Sequence, residues 1–166
     1  MLNYQEYRHY LQQLAWQEDF NQLPKLQQRW LTITGSLTAA LKQRCERFTV
    51  TPIFEGWIKD NSHPYAEKYF PETEYWLREV ILSGDEQPWI FARTVIPSST
   101  FQPYAIEIQQ LGEQPIGEWL FQQPITRSQL MWQTGKLGFA RRSTLMLAEC
   151  PFFISELFLD DFWRKA

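Results

Sequence analysis

A predicted β-hairpin in the middle of the chain limits the fold most, because one of its strands carries a charge that is costly to bury. Residues 75–82 and 89–96 are rich in β-branched and aromatic side chains and flank a turn that contains Gly84 and Asp85, a pattern typical of a hairpin. Side chains alternate along a strand, so Arg78 shares a face with three large apolar residues, Trp76, Val80 and Leu82. A guanidinium stays charged and is costly to bury without an anion. Arg78 therefore requires a carboxylate partner from the protein or from a ligand.

A second predicted strand poses the same problem with the opposite charge. Within residues 151–159, alternation places Glu156 on a face with Phe152, Ile154 and Phe158. The residue types allow two explanations. Arg78 and Glu156 form a buried ion pair with each other, or each faces a ligand in a shared pocket.

Two more cationic positions are candidates for anion binding. Arg93 shares a predicted strand face with Trp89, Phe91 and Val95, so it is a second candidate for a buried cation. Arg141-Arg142-Ser143 opens a later predicted strand. For this pair we favour an exposed strand end, with ion pairs to acidic loops, over an anion site.

The overall composition excludes several function classes. The formal net charge of −3 argues against a general nucleic-acid surface. Cys45 and Cys150 are far apart and the chain has only 2 His, so we expect neither a zinc site nor a disulfide framework. The N-terminus lacks a secretory signal and no long apolar run occurs. We expect a cytoplasmic monomer with no stable membrane anchor.

The order of predicted elements indicates the fold class. Tight links between the last strands require antiparallel pairing, and alternating βαβ units are absent, so we predict an α+β fold. At 166 residues a single domain, 1–166, is expected, with 1–23 as a helical N-terminal extension. The predicted helices are 4–17, 24–34, 37–47, 104–111 and 118–121; the strands are 48–59, 75–82, 89–96, 125–134, 139–148 and 152–159; 60–74 is a loop and 160–166 a polar and aromatic tail.

An ordered set of short motifs resembles the chorismate pyruvate-lyase family, enzymes of bacterial ubiquinone biosynthesis. The resemblance spans about Pro24 to Leu159. It rests on Tyr75-Trp76-Leu77-Arg78-Glu79, Gln87-Pro88-Trp89, Ala92-Arg93-Thr94-Val95-Ile96-Pro97, Leu111-Gly112, Pro115-Ile116-Gly117, Leu120-Phe121, Ala140-Arg141-Arg142-Ser143 and Ser155-Glu156-Leu157-Phe158-Leu159. The family usually has methionine where Leu37 stands and glycine where Ala92 stands.

The resemblance implies a six-stranded antiparallel sheet with helices on one side and helical flaps over a buried pocket. By position, Arg78 would bind the ring carboxylate of chorismate and Glu156 would contact the ring hydroxyl. Ile116 would supply a backbone contact, and Leu37 would close the pocket from the other flap. The implied reaction yields 4-hydroxybenzoate and pyruvate.

The chemistry implied by the resemblance agrees with the charges found in the predicted strands. Loss of pyruvate aromatises the ring, so the elimination requires no metal, nucleophile or redox cofactor. The protein must supply orientation, dryness and charge neutralisation. For the second carboxylate of chorismate, the expected donors are Arg93 and the backbone amide of Ile116.

Two other functions remain open from the sequence. A non-enzymatic sensor of small aromatic acids could have the same fold, as in effector-binding domains of bacterial regulators, although residues 1–23 are too few for a helix-turn-helix domain. An adaptor protein with an Arg78–Glu156 pair in its core would bind no ligand. Stabilisation by 4-hydroxybenzoate would exclude the adaptor, and turnover of chorismate would exclude the sensor.

Overall fold

One antiparallel sheet of six strands forms the centre of the computed structural model, which describes residues 1–13, 15–59 and 74–166. The spatial order of the strands is β1-β2-β3-β6-β5-β4. The predicted loop at 60–74 lies outside the described residues except for Glu74. The strands are β1 (Phe48–Ile58), β2 (Tyr75–Gly84), β3 (Gln87–Pro97), β4 (Ile125–Gln133), β5 (Ala140–Leu147) and β6 (Cys150–Phe158).

Short helices surround this sheet, so the predicted α+β class is confirmed. The longest described helix has 8 residues, and no described helix is long and apolar enough to cross a bilayer. The helices are α1 (Tyr4–Leu11), α2 (Lys25–Leu31), α3 (Leu37–Lys42), α4 (Ser98–Phe101), α5 (Ala105–Gln109), α6 (Ile116–Leu120) and α7 (Asp160–Lys165), with 3₁₀ turns at Phe20–Gln22 and Gln102–Tyr104.

Two tight turns set the register of the sheet, and neither has glycine at its central positions. Asp85 and Glu86 between β2 and β3 have φ of 48° and 70°, and Ala148 and Glu149 between β5 and β6 have φ of 48° and 69°. Positive φ at both central residues is the type I′ geometry that matches the twist of paired strands. Because the turns are only two residues long, β2 ends two residues later than predicted, and β3 and β6 each begin two residues earlier.

Two helices are shorter than predicted, because tertiary contacts end them early. The first helix stops at Leu11 instead of Gln17, because Gln17 exchanges two backbone hydrogen bonds with Trp132 of β4. The third helix stops at Lys42 instead of Arg47. There the Asp85 carboxylate accepts the N–H groups of Glu46 and Arg47 at 3.0 and 2.8 Å, which turns the chain into β1.

The segments on either side of the last three strands also differ from the prediction. The expected helix at 104–111 is present but shorter, as α5 (Ala105–Gln109), and the helix α4 and a 3₁₀ turn precede it where no helix was predicted. The expected tail at 160–166 is mostly helix α7. Its Phe162 is buried between Trp30 and Trp89, with ring centroids 4.9 and 5.9 Å away, so this end of the chain belongs to the core.

Pro52 lies at an edge of the sheet, beside a bulge. Strand β1 is at one edge of the sheet, and its pairing with β2 shifts register between Pro52 and Phe54. Proline has no N–H to donate to a sheet, so edges and bulges are the positions that accept it.

The two faces of the sheet have different covers. Helices α2 to α7 contribute buried side chains to the clusters on the face that carries Arg78 and Glu156. On the opposite face, Tyr4 and Tyr7 of α1 pack against Phe91, with ring centroids 6.2 and 5.5 Å away. Helix α1 lies within residues 1–23, the predicted helical extension.

A substitution at Gly84 tests how tightly the β2–β3 hairpin is packed. A Cβ at this position would lie 2.2 Å from the ring of the fully buried Trp89. We expect Gly84→Ala to lower the free energy of unfolding by about 1–3 kcal/mol through overpacking, measured by urea denaturation. Gly35→Ala is the control, since a Cβ there meets nothing within 4 Å. Equal stabilities of the two variants would contradict the prediction.

Candidate active site

A pocket lies between the sheet and the helices on the face that carries Arg78 and Glu156. The strands form its floor, and two segments cover it, one at α3 and one at the start of α6. Its lining is mostly apolar, with four charged side chains. The lining residues are Gly35, Leu37, Thr38, Arg78, Val80, Leu82, Ala92, Thr94, Pro115, Ile116, Gly117, Leu120, Phe121, Ile125, Arg127, Arg141, Ser143, Leu145, Ile154 and Glu156.

Arg78 lies at the β2 end of this floor, and its side chain is 1% exposed. Its Nη1 donates to the Glu55 carboxylate at 2.7 Å, and its Nη2 donates to the carbonyls of Gly112 and Gln114 at 2.8 and 2.9 Å. These bonds use three of the five guanidinium N–H donors. The buried Nε–H makes no hydrogen bond to a described residue. The guanidinium is thus held rigidly while a donor remains for a ligand.

Glu156 lies on β6 near the middle of the floor and is 7% exposed. Its carboxylate accepts hydrogen bonds from Arg141 Nε at 2.8 Å and from Arg141 Nη2 at 3.5 Å. Arg141 faces Glu156 directly across the β5–β6 pair. The first explanation from the sequence, an ion pair between Arg78 and Glu156, is therefore wrong, because each has another partner.

Arg141 and Arg142 are buried, so the prediction of an exposed strand end is wrong. They are 3% and 1% exposed, and Ser143 is 2% exposed, because the segment lies within β5 in the interior of the sheet. Alternation sends Arg141 and Ser143 into the pocket. Arg142 points to the opposite face, where its guanidinium lies 4.9 Å from the ring centroid of Trp16.

Arg93 is also on the face opposite the pocket, so its predicted role in binding the second carboxylate is not supported. Ala92 and Thr94, the residues on either side of it, line the pocket. Arg93 instead forms an ion pair with Glu79 at 3.3 Å, and Arg8 of α1 pairs with the same carboxylate at 2.7 Å. The apolar neighbours of Arg93 in the sequence correctly predicted a buried cation that needs a partner. They did not predict which face of the sheet Arg93 occupies.

Arg127 is a fourth charged residue of the pocket, and no pattern in the sequence predicted it. It comes from the edge strand β4, and its Nη1 donates to the carbonyl of Ile33 at 3.2 Å. Arg141 Nη1 donates to the same carbonyl at 3.3 Å. Burial lowers the pKa of Arg127, and the nearby positive charge of Arg141 lowers it further, while Glu156 acts in the opposite direction.

Leu37 and Ile116 lie in the two covers of the pocket. Leu37 is the first residue of α3, and the Ser36 hydroxyl caps that helix by accepting the Ala39 N–H at 3.1 Å. Ile116 is the first residue of α6. An exposed ion pair between Lys42 and Glu118 joins the two helices and is expected to add little stability. All four predicted site residues thus line one pocket.

The lining suits a small anion with an apolar body. Three guanidiniums and one carboxylate surround the space, and Glu55 compensates one guanidinium from outside the lining. An anionic ligand would therefore reduce an excess of positive charge. In the described part of the chain no group of three His, Cys, Asp or Glu side chains could hold a metal ion.

Known proteins match the chain over most of its length. A family described as chorismate lyase matches residues 10–166. Chorismate pyruvate-lyase from Pectobacterium carotovorum is 39% identical over 134 residues, which cover 80% of this chain and 76% of the relative. The Escherichia coli protein of the same name is 36% identical over 149 residues, covering 84% of this chain and 88% of the relative.

A solved structure has the same type of fold at low sequence identity. A possible transcriptional regulator from Bacillus subtilis, YydK, superimposes with a TM-score of 0.52 at 14% identity. The match covers 69% of this chain and 60% of the regulator. At this identity the likeness concerns the fold alone. The match over residues 10–166, together with the relatives of 36–39% identity, shows that the chain belongs to the chorismate lyase family.

Proposed function

We propose that the pocket binds chorismate and eliminates pyruvate from it, leaving 4-hydroxybenzoate. The observation that carries the proposal is the lining of the pocket, which combines a fixed buried guanidinium, Arg78, with a buried carboxylate, Glu156, under two helical covers. Membership of the chorismate lyase family supports the choice of substrate.

In the proposed complex, Arg78 and Glu156 contact opposite ends of the substrate ring. Arg78 binds the ring carboxylate through its Nε–H, which has no hydrogen-bond acceptor among the described residues. The backbone N–H of Ile116, predicted from the sequence to bind the second carboxylate, is assigned instead as a second donor to the ring carboxylate, because Arg78 donates to the carbonyl of Gln114 two residues before it. A first-turn N–H of a helix has no acceptor within the helix. Leu37 packs over the ring from the other cover and keeps water from the reacting atoms.

Glu156 is the group next to the bonds that change. Its carboxylate accepts a hydrogen bond from the C4 hydroxyl of chorismate. This bond positions the adjacent C4–H next to the enolpyruvyl ether at C3. Arg141 holds the carboxylate in place through the 2.8 Å bond. The C3–O bond breaks with its electron pair on oxygen, C4 loses its hydrogen, and the new C3–C4 double bond completes the aromatic ring. The enolpyruvyl methylene gains one hydrogen, so the second product is pyruvate.

Product formation tests the proposal directly. Purified protein is mixed with chorismate and EDTA, and the products are separated by chromatography beside a protein-free sample. We expect equal amounts of 4-hydroxybenzoate and pyruvate, formed faster than in the protein-free sample. If chorismate survives while 4-hydroxybenzoate raises the melting temperature of the protein, the molecule is a sensor of aromatic acids and the enzymatic proposal is wrong.

A monomeric state and a cytoplasmic location remain predictions. The described residues of one chain supply all the side chains that the proposal uses, so it requires no partner subunit. Light scattering during size-exclusion chromatography would measure the mass in solution, for which we expect the mass of one chain.

A further inference from the structure

We infer that Arg127, together with the Ser143 hydroxyl, forms a second carboxylate subsite that binds the enolpyruvyl carboxylate of the substrate. The inference rests on the proposed function, because chorismate carries two carboxylates and Arg78 accounts for one. It replaces the sequence-based assignment to Arg93, which lies on the opposite face of the sheet.

The first argument is the state of the charges in the pocket. Arg78 has Glu55 as its partner and Arg141 has Glu156. Among the residues that the structure describes, Arg127 pairs with no carboxylate, and its only hydrogen bond is the 3.2 Å contact from Nη1 to the Ile33 carbonyl. Arg127 is only half-buried, but a partly desolvated cation without an anion is still unfavourable, so this guanidinium would gain most from an anionic ligand.

The second argument is a pair of buried polar groups that have no hydrogen-bond partner in the described parts of the chain. These are the Nε–H of Arg127 and the hydroxyl of Ser143, and both residues line the pocket. Arg127 pairs with Leu145 across the β4–β5 ladder, so Ser143 is its diagonal neighbour on β5, within reach of a long side chain. A carboxylate between them would accept from both.

The third argument is the position of these residues in the sheet. The order β2-β3-β6-β5-β4 puts the strand of Glu156 midway between those of Arg78 and Arg127, which are four strand spacings, roughly 19 Å, apart at the backbone. In chorismate the C4 hydroxyl is opposite the ring carboxylate, and the enolpyruvyl group on C3 is next to that hydroxyl. A substrate held by Arg78 and Glu156 therefore extends its second carboxylate toward β5 and β4.

The pKa of Arg127 agrees with this assignment. It is lowered first by burial and then by repulsion from Arg141. An anion bound beside the guanidinium would oppose both effects. The two guanidiniums that share the Ile33 carbonyl would then face the leaving group, whose oxygen takes up negative charge as the C3–O bond breaks.

Arg127→Gln tests the subsite, because chorismate has the second carboxylate and 4-hydroxybenzoate lacks it. We expect kcat/KM for chorismate to fall about 10- to 100-fold, the loss of a hydrogen bond to a charged group. The dissociation constant of 4-hydroxybenzoate should stay within about twofold, since Arg78 and Glu156 are unchanged. Arg127→Lys keeps the charge and should recover part of the loss, and Ser143→Ala should show a smaller loss of the same type.

Three results would overturn the subsite. Parallel loss of chorismate turnover and of 4-hydroxybenzoate binding would make Arg127 a structural residue. Unchanged kcat/KM would show that the second carboxylate lies elsewhere. If the unsubstituted protein does not produce 4-hydroxybenzoate, the proposed function is wrong, and the subsite is wrong with it. This result is seen without any variant, so it is not confused with the two results above.

Discussion

Glu156→Gln is expected to lower kcat/KM for chorismate by about 10²- to 10⁴-fold, the usual contribution of a positioned acid or base. The substitution keeps the size of the side chain but removes the only carboxylate among the described residues of the pocket lining. It leaves Arg141 without its anion and gives the C4 hydroxyl a weaker acceptor. Rates are measured by following chorismate loss and 4-hydroxybenzoate formation together.

Glu79→Gln is the matched control for this prediction. Glu79 is also a buried glutamate on the sheet with arginine partners, Arg8 and Arg93, but it faces away from the pocket. Both variants should lose stability, by up to about 3–5 kcal/mol if the arginines are left uncompensated. Only Glu156→Gln should lose activity at a temperature where both are folded. Equal losses of kcat/KM would mean that the effect reports stability instead of chemistry.

The sequence was sufficient to predict the face of the sheet on which Arg78 and Glu156 lie, because that depends only on alternation along a strand. It was not sufficient to predict their partners, because partners depend on register. The predicted link at 149–151 would place Thr144 opposite Glu156. The observed two-residue turn at Ala148 and Glu149 places Arg141 there instead, and no glycine marks that turn.

The partner of Arg78 was missed for a related reason. Glu55 faces Arg78 directly across the β1–β2 pair, an arrangement that favours opposite charges. The bulge between Pro52 and Phe54 shifts that register, and the connection between the two strands includes residues 60–73, so no short turn fixes it. Arg127 was missed because it belongs to an edge strand whose neighbours are polar, where a charged residue is ordinary.

Arg78→Met is expected to cause a second large loss, about 10²- to 10³-fold in kcat/KM, because one ligand carboxylate loses a charge-assisted hydrogen bond and a fixed cation. The size of the loss depends on how rigidly Glu55 and the carbonyls of Gly112 and Gln114 hold the guanidinium. Arg78→Lys should be intermediate, since an ammonium keeps the charge but cannot reproduce the planar set of donors.

A comparison of two ligands separates this role from a loss of packing. 4-Hydroxybenzoate and 4-hydroxybenzamide have nearly the same shape, but only the first has a carboxylate. The unsubstituted protein should bind the carboxylate at least about tenfold more tightly, and Arg78→Met should bind the two almost equally, because the lost interaction belongs to the charge. A variant that binds both ligands more weakly by the same factor would show that Arg78 shapes the pocket without binding the ring carboxylate.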